Sequence, residues 1–428
     1  MNILKTLSGL LSSTSLVKSG TPISKSNSRM MKRRAVYKPF DYPHFIQIAK
    51  DHEKIHWTED EIKLDGDVRD WKTDRMTAAE KYQVTEVLKL FTQQDMTVAG
   101  FYEDVVIPYF RNNDVLMAVF SFVAREMTHI RAYALLNDTL GLPESDYSAF
   151  MNEKALAEKI DFAMQADPTT IEGMALSLVK SVINEGLSLF GSFVPLLNYQ
   201  RRGLMKGMGT IVEWSCREET AHTNTITLMF REWAREHPWI LTDAFKKRVY
   251  DMFREAISLE DAFVDKIYEM GPVEGLSKED LKTYLRYLAD FRLLNLGFKA
   301  NWGIKENPVE WLDWLLIAPD HSNFFEKRST EYEINTAVGG IDYGAFAGEQ
   351  PKIQVFGWYG CKFCEAAKTL LDVAGLKYQW KNLATKQQRS DFFDELGLEG
   401  KERTAPQIYI GDVRIGGYDA LRKYLKAE

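Results

Sequence analysis

Two Glu-x-x-His segments, Glu126-Met-Thr-His129 and Glu219-Thr-Ala-His222, constrain this chain more than any other feature. On a helix, side chains three residues apart share a face, so the acid and the imidazole of each segment can reach one metal ion. Two helices presenting such pairs, with two more each presenting one carboxylate, build a dinuclear site inside a four-helix bundle. Spacing alone is a weak signal. Seven histidines and 61 acids place roughly one acid three residues ahead of a histidine by chance. Asp41/His44 and Glu53/His56 also qualify, but they precede the bundle, near Pro43 and Trp57, and read as surface or packing residues.

The two single carboxylates are present. Asp95 sits in Leu90-Phe91-Thr-Gln-Gln-Asp95-Met96, and Glu185 in Val182-Ile183-Asn184-Glu185-Gly186-Leu187. A lone acid in an apolar run is costly to bury unless it binds something. Glu126 follows Asp95 by 31 residues and Glu219 follows Glu185 by 34. Each gap suits a crossing to a neighbouring helix and back to the same level. Four carboxylates and two imidazoles make an oxygen-rich site that suits Fe or Mn better than structural Zn.

Helical periodicity fills the surrounding chain. An apolar stripe runs through Tyr82, Val84, Val87, Leu88, Leu90 and Phe91, and another from about 115 to 140 ends at Gly141 with Pro143 beyond. Further helices are expected over 171–200, 206–234, 243–270 and 278–296. Strand-like alternation is scarce before residue 320, so this part is an α bundle. Tyr133 lies one turn after His129 on the same face, about 5–6 Å away at Cβ. A dinuclear metal site that activates oxygen can oxidise such a phenol to a tyrosyl radical, provided the surroundings are dry. Leu189 and Phe193, one and two turns after Glu185, are the expected apolar wall.

These residues resemble the ligand set and radical tyrosine of class I ribonucleotide reductase small subunits: Asp95, Glu126, His129, Glu185, Glu219 and His222 as ligands, Tyr133 as the radical site. The stretches Phe120–Tyr133 and Asn198–Gly209 are similar to the bacterial and phage members, and the resemblance spans about residues 36–335. It implies a ferritin-like helical bundle and a dinuclear Fe, Mn or mixed Mn/Fe cofactor. It also implies a homodimer and a separate large subunit, which receives the radical and reduces ribonucleotides. Trp57 resembles the tryptophan on the transfer path, and Tyr332 the tail tyrosine that relays to the partner, with Tyr343 as its competitor. Family members commonly carry Asp directly before the last ExxH glutamate, as a hydrogen-bonded link between His129 and Trp57. This chain has Glu218 there, one methylene longer.

The pattern changes to α/β after residue 350. Strands are expected at Ile353–Phe356, Lys377–Trp380, Gln407–Ile410 and Val413–Ile415, with helices near 364–373 and 387–396. Cys361-Lys-Phe-Cys364 follows a strand and opens a helix, whose N-terminus lowers the first thiol's pKa; Cys364 then resolves the mixed disulfide. No second Cys pair is available to make a zinc site. With Thr404-Ala405-Pro406 and Gly416-Gly417-Tyr418-Asp419, residues 351–428 resemble glutaredoxin. The resemblance implies a cis Pro406 beside the disulfide, and glutathione contacts from Ala405, Pro406, Gly417, Tyr418 and Asp419. The usual lysine before the site is missing from Gly357-Trp358-Tyr359-Gly360. A fused glutaredoxin would re-reduce the disulfide left in the large subunit. It would work at up to mM effective concentration across a linker spanning roughly 30 Å.

The expected organisation is therefore a basic, Ser-rich, disordered leader over 1–35, a radical-generating bundle over 36–320, a tail and linker over 321–350, and a glutaredoxin unit over 351–428. The leader's composition is also that of an organellar transit peptide. A net charge of −7 with no basic region beyond the N-terminus speaks against nucleic acid as a partner. No long uncharged apolar run suggests a membrane span, and three cysteines fit a reducing, cytoplasmic setting. Cys216, alone in a helical stretch, reads as a buried apolar residue. A different ferritin-like dinuclear-metal oxidase is the alternative enzyme, and an iron-storage or redox-scaffold protein the alternative outside catalysis.

Overall fold

The computed structural model describes residues 20–312, and 353–427 except for 359, 374–375, 377, 399–402 and 412. The principal helices are α1 (Pro43–Glu53), α2 (Asp65–Lys72), α3 (Ala78–Phe101), α4 (Asn113–Leu140), α5 (Lys154–Met164), α6 (Ile171–Ile183), α7 (Leu189–Arg201), α8 (Lys206–Glu236), α9 (Asp243–Ile267) and α10 (Lys278–Asn295). Their ends are chemically set. Thr77 and Glu80 form a capping box on α3, and Ser277 accepts the Asp280 N–H on α10. The expected stop at Gly141 is a left-handed cap, φ 76°, a conformation glycine adopts without steric cost.

Helix α3 packs on α4, and α6 and α7 pack on α8, which also meets α4. These four layers enclose one apolar core that includes Phe91, Phe122, Phe190, Phe193 and Met229. Two π turns interrupt the helical runs, Tyr102–Val106 after α3 and Asn184–Ser188 between α6 and α7. The second is tied from outside: buried Arg292 of α10 donates from Nε to the Gly186 carbonyl at 2.9 Å. A Cβ on Gly186 would lie 2.7 Å from that Nε, so only glycine leaves the guanidinium room. Among the described residues no helix is long and apolar enough to cross a membrane.

The expected disorder of the leader fails over residues 20–35. Pro22 bridges Thr170, Met30 is fully buried, and its carbonyl accepts the Asn112 N–H at 2.9 Å. The composition is polar, but Met30 supplies an anchor and the backbone finds partners on the bundle. Residues 1–19 and the tail carrying Tyr332 and Tyr343 lie outside the described residues.

The C-terminal unit is a four-stranded sheet of order β2-β1-β3-β4, with β1 Ile353–Gly357, β2 Tyr378–Asn382, β3 Gln407–Ile410 and β4 Val413–Gly416. β1 and β2 are parallel; the other pairs are antiparallel. Helices α11 (Lys362–Val373), α12 (Lys386–Glu395) and α13 (Tyr418–Ala427) accompany it. The sequence pattern had not pointed to α13. Helix α11 packs against α10 of the bundle.

Candidate metal centre and dithiol site

Four helical runs carry the six expected ligands into the bundle. Asp95 comes from α3, Glu126 and His129 from α4, Glu185 from the π turn, and Glu219 and His222 from α8. All six are at most 1% exposed. Ligand atoms of Glu126, Glu185, Glu219 and His222 lie within 4.8 Å of one another. His129 adjoins this group, its Nδ1 3.1 Å from Glu219 Oε1. Asp95 stands outside the tight four. Its carboxyl is pushed well above the ordinary range by burial, and Glu126 and Glu219 add to the effect.

These side chains fit a pair of cations. Both oxygens of Glu126 and of Glu219, one of Asp95, and Nδ1 of both histidines have no hydrogen-bond partner. Yet Nδ1 of His222 lies 2.9 Å from Glu126 Oε1. Buried acceptors left unpaired in such numbers are a strong departure from native practice, and cations at that point would satisfy them together. The electrostatics agree. Burial and then Glu219 push Glu185 up to about 8. Burial disfavours charged Glu126, but His129 and His222 prevail and hold it at about 2. Hard divalent cations with oxygen and imidazole ligands belong in such a field.

Tyr133 is fully buried, its phenol pushed well above the usual value by burial and then by Asp95. Phe91 of α3 stacks on its ring at 4.4 Å, and Phe193 stacks on Phe91 at 5.2 Å. Of the expected wall, Phe193 therefore acts through Phe91, and Leu189 is buried in the same apolar core.

The link between His129 and Trp57 differs from the expectation. Glu218 Oε2 lies 2.6 Å from His129 Nε2. The other oxygen accepts Nε–H of Arg125 at 2.9 Å, and Arg125 donates from Nη1 to the Trp57 carbonyl. The indole Nε1 has no partner. The longer side chain turns its second oxygen to the guanidinium, so the route to Trp57 is backbone-mediated. The rings of Trp57 and His129 still stack at 6.0 Å.

Three contributors escape sequence reasoning. Arg125 is one. Tyr102 donates to Glu185 Oε2 at 2.7 Å; it lies two helical turns after Asp95, a spacing that marks the same face. Nε2 of His52 lies 3.0 Å from Nε2 of His222, and its Nδ1 3.0 Å from Ser121 Oγ. His52 occupies the buried stripe of Phe45, Ala49 and His52 on α1, which was its signal. Asp41, at the partly covered foot of α1, bonds Asn112, and exposed His56 touches no ligand.

In the C-terminal unit Cys361 and Cys364 form a disulfide at the start of α11. Cys361 is half-buried and Cys364 fully buried. The Cys364 N–H points at Cys361 Sγ, 3.3 Å away. The Ala405–Pro406 peptide is cis, and the Ala405 carbonyl oxygen lies 3.7 Å from the same sulfur. Gly417 is half-buried, Asp419 exposed, and Tyr418 buried, its hydroxyl spent on the Leu294 carbonyl of α10 at 3.0 Å.

Comparison with known proteins places these two units in families. Residues 34–308 match the family described as ribonucleotide reductase, small chain, and residues 353–415 match glutaredoxin. The probable ribonucleoside-diphosphate reductase small subunit of Invertebrate iridescent virus 3 is 36% identical over 330 residues, covering 73% of this chain and 87% of the relative. The ribonucleoside-diphosphate reductase small chain from Schizosaccharomyces pombe is 29% identical over 320 residues, covering 72% and 77%. In fold the protein is similar to the ribonucleotide reductase R2 subunit from Clostridium botulinum, with TM-score 0.62, 18% identity, and coverage of 70% of this chain and 99% of that one.

Proposed function

The chain belongs to the ribonucleotide reductase small-chain family and carries a C-terminal glutaredoxin domain, and from that premise we propose that it generates a tyrosyl radical on Tyr133 for a separate large subunit and supplies that subunit with reducing equivalents. The observation that carries the reading is the buried cluster of Glu126, Glu185, Glu219 and His222, with His129 against it, in a bundle that also buries Asp95 and the Tyr133 phenol.

Asp95, Glu126, His129, Glu185, Glu219 and His222 would hold the metal pair, Fe or Mn. When bound, it supplies the oxidising power, drawn from dioxygen, that turns the Tyr133 phenol into a phenoxyl radical. The protein's part is containment and conduction. Phe91 and Phe193 exclude water from the ring. Glu218 fixes the tautomer and tilt of His129, and Arg125 holds Glu218. Trp57, stacked on His129, leads the electron path outward to Tyr332 of the tail and on to the large subunit. A homodimer working in the cytoplasm suits the family.

The glutaredoxin domain re-reduces the partner's disulfide. The Cys361 thiolate attacks one partner sulfur and the other leaves as a thiolate. Cys364 then attacks Cys361, releasing a dithiol partner and closing the Cys361–Cys364 disulfide. Two glutathiones reopen it and leave as glutathione disulfide.

The test is electron paramagnetic resonance of the metal-loaded, oxygen-exposed protein, beside ribonucleotide reduction with a cognate large subunit and glutathione. A tyrosyl signal that disappears in Tyr133→Phe while metal content stays equal is expected. A metal-loaded wild type without a tyrosyl signal overturns the reading.

A further inference from the structure

The disulfide-bearing domain does not simply hang from the bundle. Its active-site edge is seated on the C-terminal half of α10 and the loop after it. Tyr287 donates to the Gly360 carbonyl at 2.8 Å. Lys362, between the two cysteines, bonds the Ile304 carbonyl, lies 3.6 Å from Asp290 and sits over the Tyr287 ring. Tyr418 bonds the Leu294 carbonyl, and Arg422 donates to the Gly297 carbonyl at 3.0 Å. The Leu294 side chain completes the domain's own apolar cluster with Ile353, Val355 and Leu421.

The seat covers only half of the rim around Cys361. Lys362 and Tyr418 are 3% and 4% exposed. Thr404 and Asp419 on the other side are exposed, and Cys361, Ala405 and Gly417 half-exposed. A tripeptide thiol needs only the open side. A folded protein that offers a disulfide to Cys361 must lay a surface on the whole rim, since even modest protein interfaces bury several hundred Å² per partner. The bundle already occupies that ground.

We propose that this face of α10 is a docking surface that admits glutathione to the disulfide and excludes protein disulfides. Recharging takes place docked; delivery requires release. This rests on the reading of the domain as glutathione-dependent. Docked, a glutathione thiolate attacks Cys361, and Cys364 leaves as a thiolate and takes a proton. A second glutathione attacks the glutathione sulfur, freeing Cys361 and glutathione disulfide. Forty residues, 313–352, join bundle and domain, enough chain to let it leave and to return it at high effective concentration.

The experiment uses the full-length protein and the release variant Tyr287→Phe/Arg422→Glu, neither position being in the thiol chemistry. Small-angle scattering reads docking, with a larger radius expected for the variant. Pre-reduced protein, freed of reductant, is mixed with a folded disulfide-bearing protein, and single-turnover oxidation is followed by thiol trapping. Transfer at least five-fold faster in the variant is expected, with recharge of the oxidised protein by glutathione within two-fold of wild type. Equal transfer rates despite the larger radius overturn the proposal, as does a wild type already as expanded as the variant. Tyr287→Phe alone, which removes one hydroxyl, controls for misfolding and should fall between. Absence of glutathione recharge in both proteins would sink the glutathione reading, while the transfer rates still decide whether docking excludes proteins.

Discussion

Glu218 divides its carboxylate between two buried partners, His129 Nε2 at 2.6 Å and Arg125 Nε at 2.9 Å. The first contact fixes which imidazole nitrogen faces the ligands; the second neutralises a cation only 7% exposed. Groups behind metal ligands typically govern affinity by about 10–100-fold. Glu218→Gln should therefore lower metal affinity by roughly that factor. It should also cost about 3–5 kcal/mol in stability, because Arg125 loses its counter-charge. Metal titration and denaturant unfolding measure both, and an unchanged affinity would refute the positioning role.

Phe91 is the ring nearest Tyr133, at 4.4 Å. Phe91→Ala should cost roughly 3–5 kcal/mol through the cavity it opens and should admit water to the phenol. The expected sign is a tyrosyl radical that forms but decays at least ten-fold faster, read from the decay of its spectrum. Phe91→Leu keeps the site dry and should restore most of the lifetime.

Tyr102 supplies one of two side-chain hydrogen bonds to Glu185, Ser181 the other. Removing a donor from a buried carboxyl leaves an acceptor unsatisfied, which costs about 1–3 kcal/mol. Tyr102→Phe should show that loss in a thermal melt, together with weakened metal binding. Tyr133→Phe, on the other side of the cluster, should retain metal. Equal metal affinity in wild type and Tyr102→Phe would make Tyr102 a packing residue only.

Lys180 is 3% exposed and lies over the Phe162 ring, in a cavity of about 50 Å³ shared with Arg248, Met252 and Glu255. Burial pulls its amine down to about 7, opposed only by Glu255. The folded state thus binds fewer protons than the unfolded chain between pH 7 and the ordinary lysine value. Stability therefore rises with pH through that window, and below pH 7 the burial penalty is fully felt. Lys180→Met should stabilise the protein by roughly 3–5 kcal/mol at pH 6, the gain shrinking towards pH 10. Unfolding curves at the two pH values decide it; a gain independent of pH would contradict the assignment.

Legibility followed the range of the physics. The ExxH pairs, Asp95 and Glu185 announce themselves because helical spacing and a lone acid in an apolar run are local properties. The stop at Gly141 and the helical runs expected over 115–140, 171–200, 206–234, 243–270 and 278–296 are local in the same sense. What stayed hidden depends on which helices meet. His52 reaches His222 only because α1 also meets α8. Arg125 adjoins a ligand in sequence, yet its pairing with Glu218 and the Trp57 carbonyl spans 93 and 68 residues. The π turns that carry Tyr102 and Glu185 have no sequence signature beyond ordinary helix. Residues 20–35 misled because a polar, basic composition conceals one well-placed anchor, Met30.

The two cysteines should behave unequally, because access decides which sulfur exchanges first. Cys361 is half-exposed at the head of α11, where its sulfur faces the Cys364 N–H. A thiolate there gains from the helix N-terminus and reacts near neutral pH. Cys364 is fully buried behind it and can act only from within. Cys364→Ser should therefore still form a mixed disulfide with glutathione on Cys361, adding one glutathione mass, and should retain reduction of small glutathione-mixed disulfides. Reduction of a protein disulfide, which needs the second thiol to resolve the intermediate, should fall at least ten-fold. Cys361→Ser should lose both reactions. Intact-protein mass spectrometry after glutathione disulfide treatment separates the cases, and an adduct on Cys364 in Cys361→Ser formed as fast as that on Cys361 would overturn the order of attack.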